Sequence, residues 1–485
     1  MSSTAAYRAH SRDDRRTADP AARVSRFLTS HPSIDYILPL VCLLVCVLWS
    51  CRLPVEQAPD EYMRLPIPFY ILEHGKLPLG TDLEVRNPWW GTSYAFTPYG
   101  ASLLSFAFMR IVSFITTSEG MLIVAARLPS ALFMAATVLL CEKIGKRVFS
   151  SPLSPYCMAL FVGLLPQMVF LGSYLNQDAM EVFATALIVY AWLLGAEHAW
   201  DIPRCLLLAV ALGVCALSYY FAYIYLLASV AVYFATARHA VVSDRLTTGR
   251  MWRRALLITL VALAVGGWFF ARNYFLYDGD LLGRATSTAM SEKYAIAWLK
   301  PSANTSVRDK GMALIDMVSS TDDGGWLDHT VKSFIGCFGY MTTWLSPKVY
   351  LAYKVVIGVP FLLLPVHLVR GTAYEGRAAI RVALIVCAIV VFGLAAYYSW
   401  AVDYQPQGRY VMGALMPLAL GVASGMDTVG SGLYVTGRAA RGLRMAGLFA
   451  LALFLVSYVA LFGFVAMNWI VPEHLGGILS GGPWR

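Results

Sequence analysis

Charged side chains are scarce here: Asp, Glu, Lys and Arg make up 14% of 485 residues, and 58% are hydrophobic. Ordinary soluble domains are about 25% charged, so that class is excluded. The apolar runs lack strand alternation, which argues against a β-barrel. Several of them reach the ~20 residues that cross a bilayer core as helix. No CxxC pair occurs among the nine cysteines, so neither a zinc site nor a disulfide framework is suggested. His74, His329 and His367 form no ligand spacing. The formal net charge is +9, yet no basic patch interleaved with aromatics lies outside the apolar runs, which argues against nucleic acid. The arginines sit in short loops between those runs, where the positive-inside rule accounts for them.

What is present reads as an all-α polytopic membrane protein. Spans are expected at about 35–51, 121–142, 153–172, 179–196, 205–219, 220–236, 255–271, 350–370, 380–400, 410–427 and 445–467, about eleven in all. Residues 1–33 are polar and too long for a signal-peptide n-region. They are expected to be a disordered cytoplasmic tail, marked by Arg8, Arg12, Arg15, Arg16, Arg23 and Arg26. Residues 99–117 are barely long enough to cross and are interrupted by Arg110. Laid along the interface, they leave Lys143, Lys146 and Arg147 inside, and the remaining loops agree. The expected divisions are the tail 1–33, a transmembrane module 34–271 with an outer loop 52–120, an outer loop or subdomain 272–348, and C-terminal helices with a short outer tail, 349–485.

The outer loop after the first span carries the most pointed signal, Gln57-Ala58-Pro59-Asp60-Glu61-Tyr62-Met63-Arg64. Pro59 suits the first turn of a helix, where Asp60 and Glu61 would complement the positive end. The alternative is that one carboxylate acts on a substrate. Acidic groups Asp60, Glu61, Asp178, Asp278, Asp280 and Asp403 and basic groups Arg64, Lys76, Arg86, Arg272 and Arg409 fall at the same membrane face. A carboxylate can orient or deprotonate an acceptor hydroxyl, and an arginine can hold a phosphate leaving group. Each has a plainer reading: Asp178 as a helix cap, Arg272 and Arg409 as interface anchors, Asp278 and Asp280 as turn residues. A divalent metal between Asp60 and Glu61 is conceivable, but neighbours on a helix diverge in direction, so no metal is expected to be required.

The order of motifs resembles the GT-C superfamily of polyprenyl-phosphate-sugar-dependent glycosyltransferases. The resemblance rests on Pro59-Asp60-Glu61-Tyr62-Met63-Arg64, on Ala126-Arg127-Leu128-Pro129 leading to Gly145-Lys146-Arg147, on Ser333-Phe334-Ile335-Gly336-Cys337-Phe338-Gly339, and on Gln407-Gly408-Arg409-Tyr410. It covers about 35–425 and is similar to protein O-mannosyltransferases, to the aminoarabinose transferase and to a bacterial group with P-D-E-x-x-H and Q-G-R-Y motifs. Arg64 departs from that pattern, standing where the group usually has His. The resemblance implies interface helices in the first outer loop, Asp60 as the catalytic carboxylate and Asp178 as the second acidic position. The expectation is an inverting, extracytoplasmic-facing glycosyltransferase of the bacterial cell membrane, moving a sugar from a polyprenyl-phosphate donor to a cell-envelope glycan, lipid or protein. Asp60, Glu61 and Asp178 would form the catalytic set. Arg64, Lys76, Arg86, Arg272, Arg409 and Tyr410 would bind the donor, with Asp278 and Asp280 in an acceptor loop. The rivals are a lipid-linked-sugar flippase, which would want ionisable groups buried in its spans, and a non-catalytic assembly subunit.

Overall fold

Among the described residues nine helices are long and apolar enough to cross a membrane. The structure is a computed structural model describing residues 20–370, 377–431 and 438–470. The protein is a multi-pass, almost wholly helical membrane protein. Large apolar side chains stand on its outside, with Leu227 at 70% and Phe449 at 71% exposure. That pattern is the lipid-facing surface of a spanning bundle. The fully buried large side chains, Trp192, Trp200, Phe161 and Phe170 among them, fill the inside.

Eleven expected spans resolve into nine long helices and two shorter ones. The expected span 153–172 is two pieces, Ser154–Gly163 and Pro166–Leu171. Pro166 supplies no amide donor and drives Leu165 to an extended conformation (φ −67°, ψ 121°). The expected span 205–219 is Ile202–Ala216, 15 residues, or about 22 Å of helix, well short of a ~30 Å hydrocarbon core. Gly100–Ser113 has 14 residues and is too short to cross for the same reason, as the charge argument for 99–117 required. Part of the expected disordered tail, Pro20–Ser30, is helical; residues 1–19 and the C-terminal tail 471–485 lie outside the described residues.

The organising element is Glu119–Val148, 30 residues long. It packs against Ile37–Ser50, Ser154–Gly163, Asp178–Glu197 and Gly100–Ser113. Several ionisable groups are buried in long helices: Arg127, Glu142, Glu181 and Asp427. Two of them are staples between elements. Asp427 accepts the amide N–H groups of Ser150 and Ser151, and Arg127 is described below. Glu142 and Glu181 have no hydrogen-bond partner among the described residues.

The segment 272–348 is folded. It holds helices Arg284–Tyr294, Leu314–Ser319 and Gly325–Ile335, then a two-residue hairpin pairing Cys337 with Trp344 and Phe338 with Thr343. Ser291 donates to the Trp90 carbonyl at 2.8 Å and the Ile296 amide to the Trp89 carbonyl at 3.0 Å. These bonds join the segment to the first loop, so both loops cover the same end of the bundle.

Candidate active site

Proline sets the local geometry. Ala58, before Pro59, is extended (φ −97°, ψ 116°), as the residue preceding proline must usually be. The helix begins at Glu61, after Pro59 rather than with it, and Asp60 sits at the N-cap position in the left-handed region (φ 61°, ψ 1°). That conformation costs a non-glycine residue about 1 kcal/mol or more, least for Asn and Asp. The Asp60 side chain makes no cap bond. Its carboxylate turns instead to Arg409, whose Nη1 donates to Oδ2 at 2.8 Å, with Arg64 Nη2 3.8 Å away.

Glu61 points the other way. It is fully buried and takes Arg127 in a two-pronged ion pair, with Nε donating to Oε1 at 2.8 Å and a second contact between Nη2 and Oε2. The Leu175 amide also donates to Oε1 at 2.7 Å. Arg127 Nη1 donates to the carbonyls of Ser50 and Leu53, both at 2.7 Å. The pair therefore ties the end of the first span, the first loop and the central helix together. The two adjacent carboxylates diverge onto separate arginines, so they do not form a two-ligand metal site. Among the described residues the metal-capable grouping is Glu73, His74 and Glu84, all exposed and outside the cavity lining.

Asp178 is buried in the first turn of its helix. Capping there falls to Asn176, whose Oδ1 accepts the Ala179 amide at 2.8 Å. The Asp178 carboxylate lies in the field of Arg64 and Arg409 but does not line the cavity. Arg64 lies over the Tyr94 ring, 4.3 Å from its centroid; its Nε and Nη1 are buried without a hydrogen-bond partner among the described residues. Arg409 is held on all sides, with Nε donating to Gln407 Oε1 at 2.7 Å and Nη2 to the Tyr410 hydroxyl at 3.1 Å. Burial alone would raise the Asp60 carboxyl. The guanidiniums of Arg409 and Arg64 and hydrogen bonds from Arg409 and Tyr94 outweigh it, and the group is held below the usual carboxylate range.

Asp60 and Arg409 face a cavity of about 470 Å³. Three of the four motif segments named above line it: Pro59 and Asp60, then Ser333, Cys337 and Gly339, then Gln407 to Tyr410. The last two lie backbone to backbone. The Gly408 amide donates to Ser333 Oγ at 2.7 Å, and a Cβ on Gly408 would stand 2.0 Å from the Phe334 amide nitrogen.

The other expected site residues lie elsewhere. Lys76 sits 5.8 Å over Tyr70 and Arg86 4.1 Å over Tyr294. Arg272 Nη2 donates to the Pro78 carbonyl at 2.7 Å. Asp278 is a left-handed turn residue (φ 49°). Asp280 Oδ2 accepts the Thr286 amide at 2.8 Å and hydroxyl at 2.9 Å at the start of a helix. None of the five lines the cavity. Conversely Trp90, Tyr94, Tyr174 and Tyr340 do, and none of them was among the expected site residues.

No family model matches the chain, and no curated protein matches it. Solved structures do. The apo oligosaccharyltransferase of Archaeoglobus fulgidus aligns with TM-score 0.51 and 16% identity over 88% of this chain and 55% of its own. ArnT from Cupriavidus metallidurans bound to undecaprenyl phosphate aligns with TM-score 0.47 and 12% identity over 91% and 74%. The archaeal oligosaccharyltransferase AglB in complex with an inhibitory peptide and a dolichol-phosphate gives TM-score 0.49 and 16% identity over 93% and 57%. The chain thus spans about half the length of the oligosaccharyltransferases it matches. Its fold is similar to that of the archaeal oligosaccharyltransferase.

Proposed function

We propose that the protein is a membrane glycosyltransferase that moves a sugar from a polyprenyl-phosphate donor to a cell-envelope acceptor at the extracytoplasmic face. One observation carries the reading: Asp60 is held in a left-handed conformation, declines the helix cap next to it, and presents its carboxylate with Arg409 to a cavity lined by three of the four motif segments. A stabilising cap would have been the cheaper use of that side chain. Strained backbone with a paired, charged group in a cleft is the usual mark of a working site.

In the proposed reaction an acceptor hydroxyl is oriented by the Asp60 carboxylate. Its oxygen attacks the anomeric carbon as the bond from that carbon to the phosphate oxygen breaks, with inversion. The bonding pair leaves with the polyprenyl phosphate, and the hydroxyl proton passes to Asp60 and on to solvent. Arg409 holds Asp60 ionised and, at the same point, stabilises the charge that develops on the leaving phosphate. Asp178, buried behind, balances the two guanidiniums. Glu61 shapes the loop through Arg127 and does not face the reaction.

The test is transfer from purified polyprenyl-phosphate sugars by the full chain in lipid nanodiscs, beside transport of the same donors across liposomes. Transfer that requires Asp60 supports the reading. Donor movement without transfer would replace it with a transporter.

A further inference from the structure

Residues Asp403 to Gln407, which form neither helix nor strand, lead into the 3-10 turn that begins at Gly408, and together they make one wall of the cavity. Val402 and Tyr404 are exposed at 41% and 47%, whereas Asp403, Gln405, Gln407 and Arg409 all line the cavity. The turn between the Gln407 amide and the Gln405 carbonyl, 2.8 Å, brings these side chains side by side. They form a continuous hydrogen-bonded ladder. Asp60 accepts from Arg409 at 2.8 Å, Arg409 Nε donates to Gln407 at 2.7 Å, the Gln407 amide bonds the Gln405 amide, and Gln405 Nε2 donates to Asp403 Oδ2 at 2.7 Å. The backbone is pinned as well, because Ser399 Oγ donates to the Gln405 carbonyl at 3.0 Å and Ser333 Oγ accepts from Gly408.

Such a ladder does not conduct protons, since a guanidinium does not give up its proton and a primary amide is neither acid nor base at ordinary pH. Its effect is to fix side chains that would otherwise turn freely. Each amide spends one N–H on its neighbour and keeps another, and the Asp403 carboxylate keeps acceptor capacity. The ladder therefore offers fixed N–H donors and a carboxylate along one line, with the Tyr398 and Tyr410 rings also on the wall. Neighbouring hydroxyls of a sugar ring need that mixture of donor and acceptor, and an aromatic face suits the C–H side of the ring. Along 403–407 the one charged cavity-lining group is Asp403, so an anionic partner finds no cation there; Arg409, beside Asp60, is left to the leaving phosphate.

We infer that the 403–409 ladder is a binding subsite for a neutral sugar of the acceptor, laid outward from the carboxylate that receives its hydroxyl. This deepens the proposed function and rests on it for the word acceptor; sugar binding itself does not depend on turnover. The test is saturation-transfer NMR on the full chain in nanodiscs with methyl glycosides of common hexoses and pentoses. Glycerol phosphate and an uncharged tetrapeptide serve as the rival chemistries. Ring protons of at least one glycoside are expected to receive saturation in the wild type. The signal should fall roughly five- to tenfold in Gln405→Leu and in Asp403→Asn and survive in Lys76→Met, outside the cavity lining. Thermal unfolding checks each fold, and Gln405→Glu, which keeps size and acceptor capacity, should retain part of the binding. Silence from every glycoside, indifference to the ladder variants, or ladder-dependent binding of the phosphate or peptide instead would overturn the inference. Displacement of the glycoside by a polyprenyl-phosphate carrying the same sugar would also overturn it, because the ladder would then serve the donor. If transfer is never observed but glycosides bind through the ladder, the subsite stands and the transferase reading falls.

Discussion

Arg409 Nη1 meets Asp60 Oδ2 at 2.8 Å, joining residues 349 positions apart in the chain. The contact sets the charge state of the one carboxylate that the first loop turns toward the cavity. Asp60 is the residue that could have capped the Glu61–Arg64 helix and does not.

The pH dependence of transfer should follow from that contact. Arg409 and Arg64 hold the Asp60 carboxyl below its ordinary range, against the opposite pull of burial. Its folded value therefore lies below the ~3.9 of an unperturbed aspartate. The ionised form, and the stability linked to it, are fully present above the unfolded value and are lost as pH falls through the folded one. The acid limb of the rate profile should lie below the ordinary aspartate range, and Arg409→Met or Arg64→Met should move it upward. Initial rates across pH in wild type and variants check this; an unmoved limb would separate Asp60 from the titration.

Glu61 should behave quite differently from its neighbour. It is buried with Arg127, which also holds the Ser50 and Leu53 carbonyls. Glu61→Gln leaves that guanidinium uncompensated and should cost about 3–5 kcal/mol of stability, whereas replacing both partners by leucine should cost less. Chemical unfolding in detergent measures both.

Sequence alone could not divide that labour. Asp60 and Glu61 are adjacent and alike, and what distinguishes them is a partner 66 positions away for one and 349 for the other. The order of apolar runs, by contrast, was readable because bilayer thickness imposes a length on each. The reading failed where proteins depart from that rule. Pro166 cuts one expected span in two, and Ile202–Ala216 stays short. Lys76, Arg86 and Arg272 share a membrane face with Asp60, but a face is wide, and each is engaged with a ring or carbonyl outside the cavity lining.

Gly408→Ala should disable the site through the backbone. The new Cβ would stand 2.0 Å from the Phe334 amide nitrogen, so trimming the Phe334 side chain cannot relieve it. A loss of about 1–3 kcal/mol or more is expected, together with loss of transfer, and Phe334→Ala in the same chain should restore neither. Unfolding and transfer assays on the single and double variants check this.

Metal removal should leave transfer unchanged within about twofold, because Asp60 and Glu61 are committed to arginines rather than aimed at one ion. Rates before and after extensive chelation decide it. Loss restored by one added divalent cation would place a metal in the reaction.

The most direct test of the account is transfer from polyprenyl-phosphate sugars by Asp60→Asn, with the unfolding midpoint of the same preparation. The amide keeps the shape of the side chain but not the charge. The account predicts a fall of about 10²-fold or more in rate in a protein that still folds. A folded Asp60→Asn protein with full transfer activity would contradict it.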